Sequence, residues 1–332
     1  MDAPTPDLSR IIRVSRDAAA ELSHQEFARR VRAGDVERLR RGVGRPAPVP
    51  LALVDRFDRP AERRSRYLDL VAAVAETRRS QVVFAGRSAA AIWNLATVAA
   101  WPSFVEILEP RGSARRSKRG IVVHRTAFEA DDIVPWGEHY VTSPARTIAD
   151  LARSGDFVAA VVALDHALSR RANDALRMTK EDVSEVLDRT GSSRGLARAR
   201  AAVEFADGRA DSVGESLSRI DIFQLGFELP ELQVRHPHPG GFYDADFKWP
   251  GTSRRPPTIG EFDGVMKYLD ERYRNGTDVG QVLVAEKFRE DFLRGEGNGF
   301  LRWGWEEARK PVPLLRPKLL RAGIRIVRRP LI

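Results

Sequence analysis

The chain has 332 residues, 42% of them hydrophobic and 30% charged, enough for two or three domains with cores of their own. Its formal net charge of +9 and isoelectric point near 10.2 favour a polyanionic partner, nucleic acid first, although an Arg-rich genome would bias the composition the same way. Cysteine is absent, which excludes disulfides and thiolate metal sites; no apolar run approaches the roughly 20 residues that span a bilayer, and the polar start does not read as a signal peptide, so a cytoplasmic protein with no membrane partner is expected.

Residues 10–48 read as a compact helical unit with a basic end. A short helix is predicted over 16–22. Ser23-His24-Gln25-Glu26 is a capping box that opens a second helix, which runs to Ala33 and is stopped by Gly34. Residues 36–43 then alternate like a short strand pair about a glycine turn. Between Arg29 and Arg45 stand seven arginines against two acids. Helix, turn, helix and basic strand pair is the layout of a winged helix-turn-helix, in which the second helix enters the major groove and the wing follows phosphates. Gln25 and Arg29 are the candidates for base edges, Gln pairing with adenine and Arg with guanine. Arg32, Arg38, Arg40 and Arg41 would neutralise phosphate. The competing reading is that Arg30 and Arg32 merely solvate a helix face.

Residues 46–60 carry four prolines and read as a linker. An α+β region is predicted over 60–207. It holds a helix at 61–78, a strand at 82–85, and a helix over 89–95 capped by Ser88. Strands follow at 104–108, 121–124 and 138–141, and the loop 111–119 has five basic residues in nine. Ser143 and Pro144 start a helix that runs to Arg153, with Gly155 as its stop. Further helices are predicted at 158–169, from Thr179 to Asp182 onward, and at 196–205.

The last third predicts an α/β domain over 208–310: a helix at 212–225, strands near 231–236, 242–249 and 258–263, a helix at 281–294 and a strand at 300–305. From Arg309 onward there are eight basic residues and no acid, read as a basic tail over 311–332. Within this domain, strand alternation puts Asp244, Asp246 and Lys248 on one face and Ala245, Phe247 and Trp249 on the other. Glu261 and Asp263 likewise share a face, opposite Phe262. Adjacent strands would bring Asp246 and Glu261 together. Facing carboxylates repel unless a cation or a proton lies between them, so the pair suits a Mg²⁺-dependent phosphodiester-cleaving site, or the remains of one. Both could equally be solvated strand-face residues. Glu286, Lys287, Glu290 and Asp291 read as a salt-bridged helix face, with Lys287 and Arg289 as phosphate contacts in the alternative.

Several segments together carry a family resemblance. They are Leu39-Arg40-Arg41-Gly42-Val43; Val141-Thr142-Ser143-Pro144-Ala145-Arg146-Thr147; Gly214-Glu215-Ser216-Leu217-Ser218-Arg219; Asp246-Phe247-Lys248-Trp249-Pro250; Gly260-Glu261-Phe262-Asp263-Gly264 with Lys267-Tyr268; and Glu286-Lys287-Phe288-Arg289-Glu290-Asp291. In this order the chain resembles actinobacterial AbiEi-antitoxin-like transcriptional regulators. The resemblance implies an N-terminal winged helix and a C-terminal restriction-endonuclease-like domain, related in outline to very-short-patch-repair nucleases. In restriction-like nucleases one carboxylate ends a strand, a second begins Glu-x-Lys on the next, and another acid comes from a preceding helix. By resemblance Asp246 is the first, Glu261 the second and Glu215 the helix acid, with Asp246 and Glu261 as the Mg²⁺ ligands. The lysine position holds Asp263 instead, which leaves Lys248 or Lys267 to supply a displaced amine. Glu215 also fits a capping box with Ser212, and Asp263-Gly264 a turn.

Three functions are therefore expected, in order. The first is a regulator of antitoxin type that binds double-stranded DNA, with a non-catalytic restriction-like domain. The second is a Mg²⁺-dependent DNA endonuclease. The third is a scaffold that neutralises a cognate toxin protein. Other chemistries lack their motifs: there is no G-x-x-x-x-G-K-[ST] or G-x-G-x-x-G, His236-Pro237-His238 is too short for a zinc site, and Gly214-Glu215-Ser216 is no nucleophile elbow.

Overall fold

The computed structural model describes residues 3–14, 22–54, 58–114, 116–118, 120–190, 194–264 and 279–331. They build a mixed α/β chain of two compact units, one comprising residues up to 168 with 172–206, the other 169–171 with 207 onward. The helix expected over 16–22 falls almost entirely outside the described residues.

In the first unit, α1 (His24–Ala33) begins where Ser23 accepts the Glu26 N–H at 3.2 Å and ends at Gly34, whose φ of 82° is left-handed. Glu26 does not return the capping bond; its carboxylate instead takes Arg29 and Arg30. Strands β1 (Ile12–Arg13), β2 (Val36–Arg40) and β3 (Val43–Pro46) form an antiparallel sheet in the order β1-β3-β2. Phe27 of α1 is buried, as are Val36 and Val43 of the hairpin. The close approach needs Gly44, where a Cβ would lie 2.7 Å from Val36 and 3.1 Å from the Phe27 ring. Arg45 is buried and donates to Asp69 of α2 (Arg59–Glu76) and to Glu37, each at 2.7 Å. The basic hairpin and the first long helix are thus tied into one unit, and the proline-rich stretch does not separate two domains.

The body of this unit is a five-stranded sheet. Its strands are β4 (Val83–Phe84), β5 (Val105–Glu109), β6 (Ile121–Arg125), β7 (Ile133–Trp136) and β8 (His139–Thr142), in the order β6-β5-β4-β8-β7. Pairs β4–β8 and β5–β6 are parallel and the rest antiparallel. Strand β7, with Pro135 at the sheet edge, has no counterpart among the predicted strands. Helix α3 (Gly86–Ile92) starts earlier than expected. Ser88 therefore lies inside it rather than at its cap; its hydroxyl accepts the Glu106 N–H at 2.9 Å and meets Tyr67 Oη at 2.8 Å. Helix α4 (Pro144–Arg153) carries Arg146, which is fully buried. Its guanidinium reaches Asp132 at 2.8 Å and Asp150 at 3.0 Å, and Arg189 holds the other oxygen of Asp132. Helices α5 (Phe157–Leu168), α6 (Lys180–Arg189) and α7 (Leu196–Phe205) pack around α4.

The second unit opens with α8 (Val213–Gln224). Strands β9 (Glu231–His238), β10 (Gly241–Trp249) and β11 (Thr258–Asp263), helix α9 (Val279–Gly295) and strand β12 (Gly299–Gly304) follow. The sheet order is β12-β11-β10-β9; only β11–β12 is parallel, as a crossover through a helix requires. Phe247, Trp249 and Trp303 pack with Ile222 of α8 and with Leu225 just after it, while Ala245 and Ile259 pack with Leu293 of α9. Residues 311–324, expected as part of a basic tail, contribute to this core. After α10 (Trp305–Arg309), Leu315 of a π-helical turn (Pro311–Leu315), Leu319 of α11 (Arg316–Arg321) and Ile324 beyond it are buried in the cluster that includes Ile222 of α8. Arg325 pairs with Glu228 at 2.8 Å. The charge of this segment masks its apolar spacing in the sequence.

Helix α8 lies so close to β11 that a Cβ on Gly214 would sit 2.0 Å from the Phe262 ring. We expect Gly214→Ala to lower stability by about 1–3 kcal/mol through overpacking, despite alanine's better helix propensity. Urea unfolding checks this, and an unchanged or raised midpoint would contradict it.

Candidate nucleic-acid interface and buried carboxylate site

The residues expected to contact DNA lie together on α1 and the β2–β3 hairpin. Gln25, Arg29 and Arg32 are spaced by four and three, so they share one face of α1, and all three are exposed. Phe27 points the other way, into the hairpin. Arg38 is exposed on β2, its guanidinium 5.6 Å from the Phe27 ring centre. The strand register shifts between Arg38 and Arg40, and Gly42 turns the hairpin at φ 74°. Arg41 projects from that turn. Arg29 is less free than its exposure suggests. It forms a bidentate pair with Glu26 at 2.6 and 2.7 Å, and Arg29 and then Arg30 hold the Glu26 carboxyl down at about 2. An exposed pair of this kind is weak and open to exchange for phosphate. Arg32 and Arg41 have no ion pair among the described residues.

The hairpin tip borders a groove of about 510 Å³. Arg40 and Arg41 line it from the hairpin, Arg78 from just beyond α2 and Lys118 from the basic loop, with no acid among the lining residues. Arg78 carried no signal of its own in the sequence; Lys118 was visible only through the charge of its loop.

The carboxylates of the second unit are arranged differently from the alternating pattern. Ala245 packs toward α9, but Asp246 and Phe247 both turn toward α8. On β9 the facing residue Gln233 is distorted to match, with φ 50°. Its side-chain amide donates to Glu215 at 2.9 Å and to Asp246 at 3.4 Å. The other Asp246 oxygen accepts the Phe262 N–H at 2.9 Å, replacing a strand–strand bond where β10 leaves β11. Ser212 caps α8 by accepting the Glu215 N–H at 3.2 Å; the Glu215 oxygens accept from the Ser212 hydroxyl and from the Asp211 N–H rather than from the N-cap N–H of the expected capping box. Burial, and then the charge of Asp246, push the Glu215 carboxyl up to about 7.

Lys248 does not share the face of Asp246. Its amine lies 3.3 Å from His236 Nε2, and His236 Nδ1 is 2.6 Å from Glu296, an arrangement met by a proton on Nδ1. Lys267 lies outside the described residues.

Glu261 is buried and bound edge-on by Arg289 of α9, at 3.2 and 2.8 Å. Burial works against the Arg289 charge, but Glu261 and Glu286 more than offset it and its pKa is raised. Arg302 of β12 extends the network to Asp263 and Glu286, both at 3.5 Å, and to Glu290 at 3.4 Å. Sequence reasoning considered Arg289 only as a phosphate contact and missed Gln233 altogether. The Glu286–Arg289 spacing of three on a helix was the available signal.

Comparison with known proteins adds similarity but no function. No family model matches the chain. Over 147 residues, 44% of its length, it is 32% identical to two uncharacterized proteins of Mycobacterium tuberculosis, one from strain CDC 1551 / Oshkosh and one from ATCC 25618 / H37Rv. The match covers 51% of each relative, so the chain spans about half the length of the curated proteins it matches.

The donor set as arranged does not fit Mg²⁺. Hard cations need oxygen ligands facing one point. Here a guanidinium occupies both oxygens of Glu261, and a side-chain amide lies between Glu215 and Asp246. Among the described residues, no three His, Asp or Glu side chains gather closely enough to hold a metal ion.

Because the folded pKa of Glu215, about 7, exceeds its ordinary 4.5, its contribution to stability is full below about 4.5 and is lost as pH rises through 7. Glu215→Gln keeps the shape without the charge. The variant should therefore gain on the wild type between about pH 5 and about pH 8. Asp221, which burial pushes up to about 8, is common to both proteins and cancels in the difference. Urea midpoints across this range check the sign; a pH-independent difference would contradict it.

Proposed function

We propose that this protein is a cytoplasmic DNA-binding transcriptional regulator of antitoxin type. In this reading α1 is the recognition helix of a winged helix-turn-helix and β2–β3 its wing. One observation carries it: an exposed face of Gln25, Arg29 and Arg32 stands beside a hairpin whose tip, Arg40 and Arg41, continues into the acid-free groove with Arg78 and Lys118. A duplex offers evenly spaced phosphates to such a surface, and affinity then comes largely from counter-ion release.

The second unit, in the same proposal, is a restriction-endonuclease-like domain used for binding or regulation rather than hydrolysis. The nearness of Glu215 on the preceding helix to Asp246 supports the kinship. The Arg289–Glu261 pair, and Asp263 at the expected lysine position, support the loss of catalysis. The endonuclease reading draws on the same Glu215–Asp246 pair, but requires Arg289 to leave Glu261. A cognate toxin as partner rests on the family resemblance alone.

Arg32→Ala and Arg41→Ala test the DNA reading, since both side chains are exposed and their loss should leave the fold intact. Each should weaken duplex binding several-fold and reduce the slope of log K against log salt by about 0.9 per lost phosphate contact. Fluorescence anisotropy over a salt series measures both. Wild-type affinity and slope in both variants would remove α1 and the hairpin as the DNA-binding surface.

A further inference from the structure

A second concave site lies within the first unit, at the ends of β5 and β6 beside α3 and α4, with a volume of about 510 Å³. That volume suits a small ligand, in the usual range of roughly 300–1,000 Å³. Nothing in the DNA-binding reading uses it. Its walls combine an apolar surface from Ala85, Phe104 and Leu151 with the guanidinium-bearing residues Arg87, Arg111, Arg125, Arg153 and Arg194.

The two acids that line it are already engaged. Glu106 accepts the Arg87 N–H at 3.1 Å and lies 2.6 Å from His124 Nε2. It also lies against Gly86, where a Cβ would fall 2.5 Å from its Oε2, so glycine at this φ of 53° makes room for the carboxylate. Asp150 is bound by Arg146 at 3.0 and 3.1 Å. The hydrogen bond to Glu106 raises the His124 pKa, favouring a further cation. Arg111 and Arg194 are exposed at the mouth and have no ion pair among the described residues. Arg111 belongs to the basic loop that the sequence marks out.

We propose that this cavity binds a phosphate-bearing small molecule of mononucleotide size. Guanidiniums around one space match the oxygens of a phosphate better than a single carboxylate, because the forks of Arg111 and Arg194 can offer paired N–H donors at the mouth while Arg87, Arg125 and Arg153, held by other groups, add positive charge. The apolar wall gives a base or similar ring a place to pack while the phosphate meets the arginines. A duplex is the less favoured ligand, since the acceptors would have to enter a concavity floored by side chains.

The test is calorimetric titration of the full chain with ribonucleoside 5′-monophosphates, the corresponding nucleosides and inorganic phosphate. We expect the monophosphates to bind at least about tenfold more tightly than the nucleosides or phosphate alone. The double variant Arg111→Ala/Arg194→Ala, altered only at exposed positions, should lose about tenfold or more for the monophosphates. Arg32→Ala should leave this binding unchanged, which separates the site from the DNA surface. The proposal fails if no phosphate compound binds at about 1 mM. It also fails if the double variant binds as the wild type does, or if that variant loses affinity only for duplex DNA.

Discussion

A carboxylate that is 2% exposed cannot stay charged without a partner, and Glu261 has Arg289. That pair fixes more than itself. Arg289 sits on α9, the crossover that makes β12 run parallel to β11. Holding Glu261 therefore seats α9 on its face of the sheet, where Leu293 packs with Ala245 and Ile259. Arg302 on β12 then joins the strand to the same helix through Glu286 and Glu290. The guanidinium stands where a cation-dependent site would need free oxygens, so the contact that organises this side of the sheet also closes the site to a metal ligand set.

Asp246 makes structural contacts on the other side. Its carboxylate takes the Phe262 N–H where β10 parts from β11, and the Gln233 amide links it to Glu215 at the start of α8. Gly214 permits this by letting α8 approach Phe262. A row of carboxylates that looks like one cluster in the sequence is thus divided between two helices, Glu261 paired with arginine and Asp246 hydrogen-bonded by an amide beside a Glu215 whose carboxyl pKa is raised.

Much of the architecture was legible in the sequence because its local signals agree. Ser23 and Gly34 bound α1, Ser143 and Pro144 start α4, and residues 196–205 form α7 as expected. The strands of the second unit also follow their aromatic alternation, up to Asp246. What the sequence concealed depends on contacts distant along the chain. The distortion at Gln233 and the turn of Asp246 toward α8 part Asp246 from Lys248, which meets His236, and no periodicity announces them. Arg45, one of the seven arginines of the basic stretch, is buried against Asp69, a partner 24 residues further along the chain. The charge of residues 311–332 hid Leu315 and Leu319, which complete a core.

A basic helix–hairpin surface is proposed to hold DNA, and the carboxylate site is proposed to serve structure rather than hydrolysis. Both are tested when supercoiled plasmid is incubated with the full chain and Mg²⁺ or Mn²⁺ and run on a gel before and after the protein is removed. We expect retarded plasmid that returns to intact supercoil once the protein is gone. Nicked or linear product that disappears in Asp246→Ala or Glu261→Ala would contradict the account and establish a nuclease.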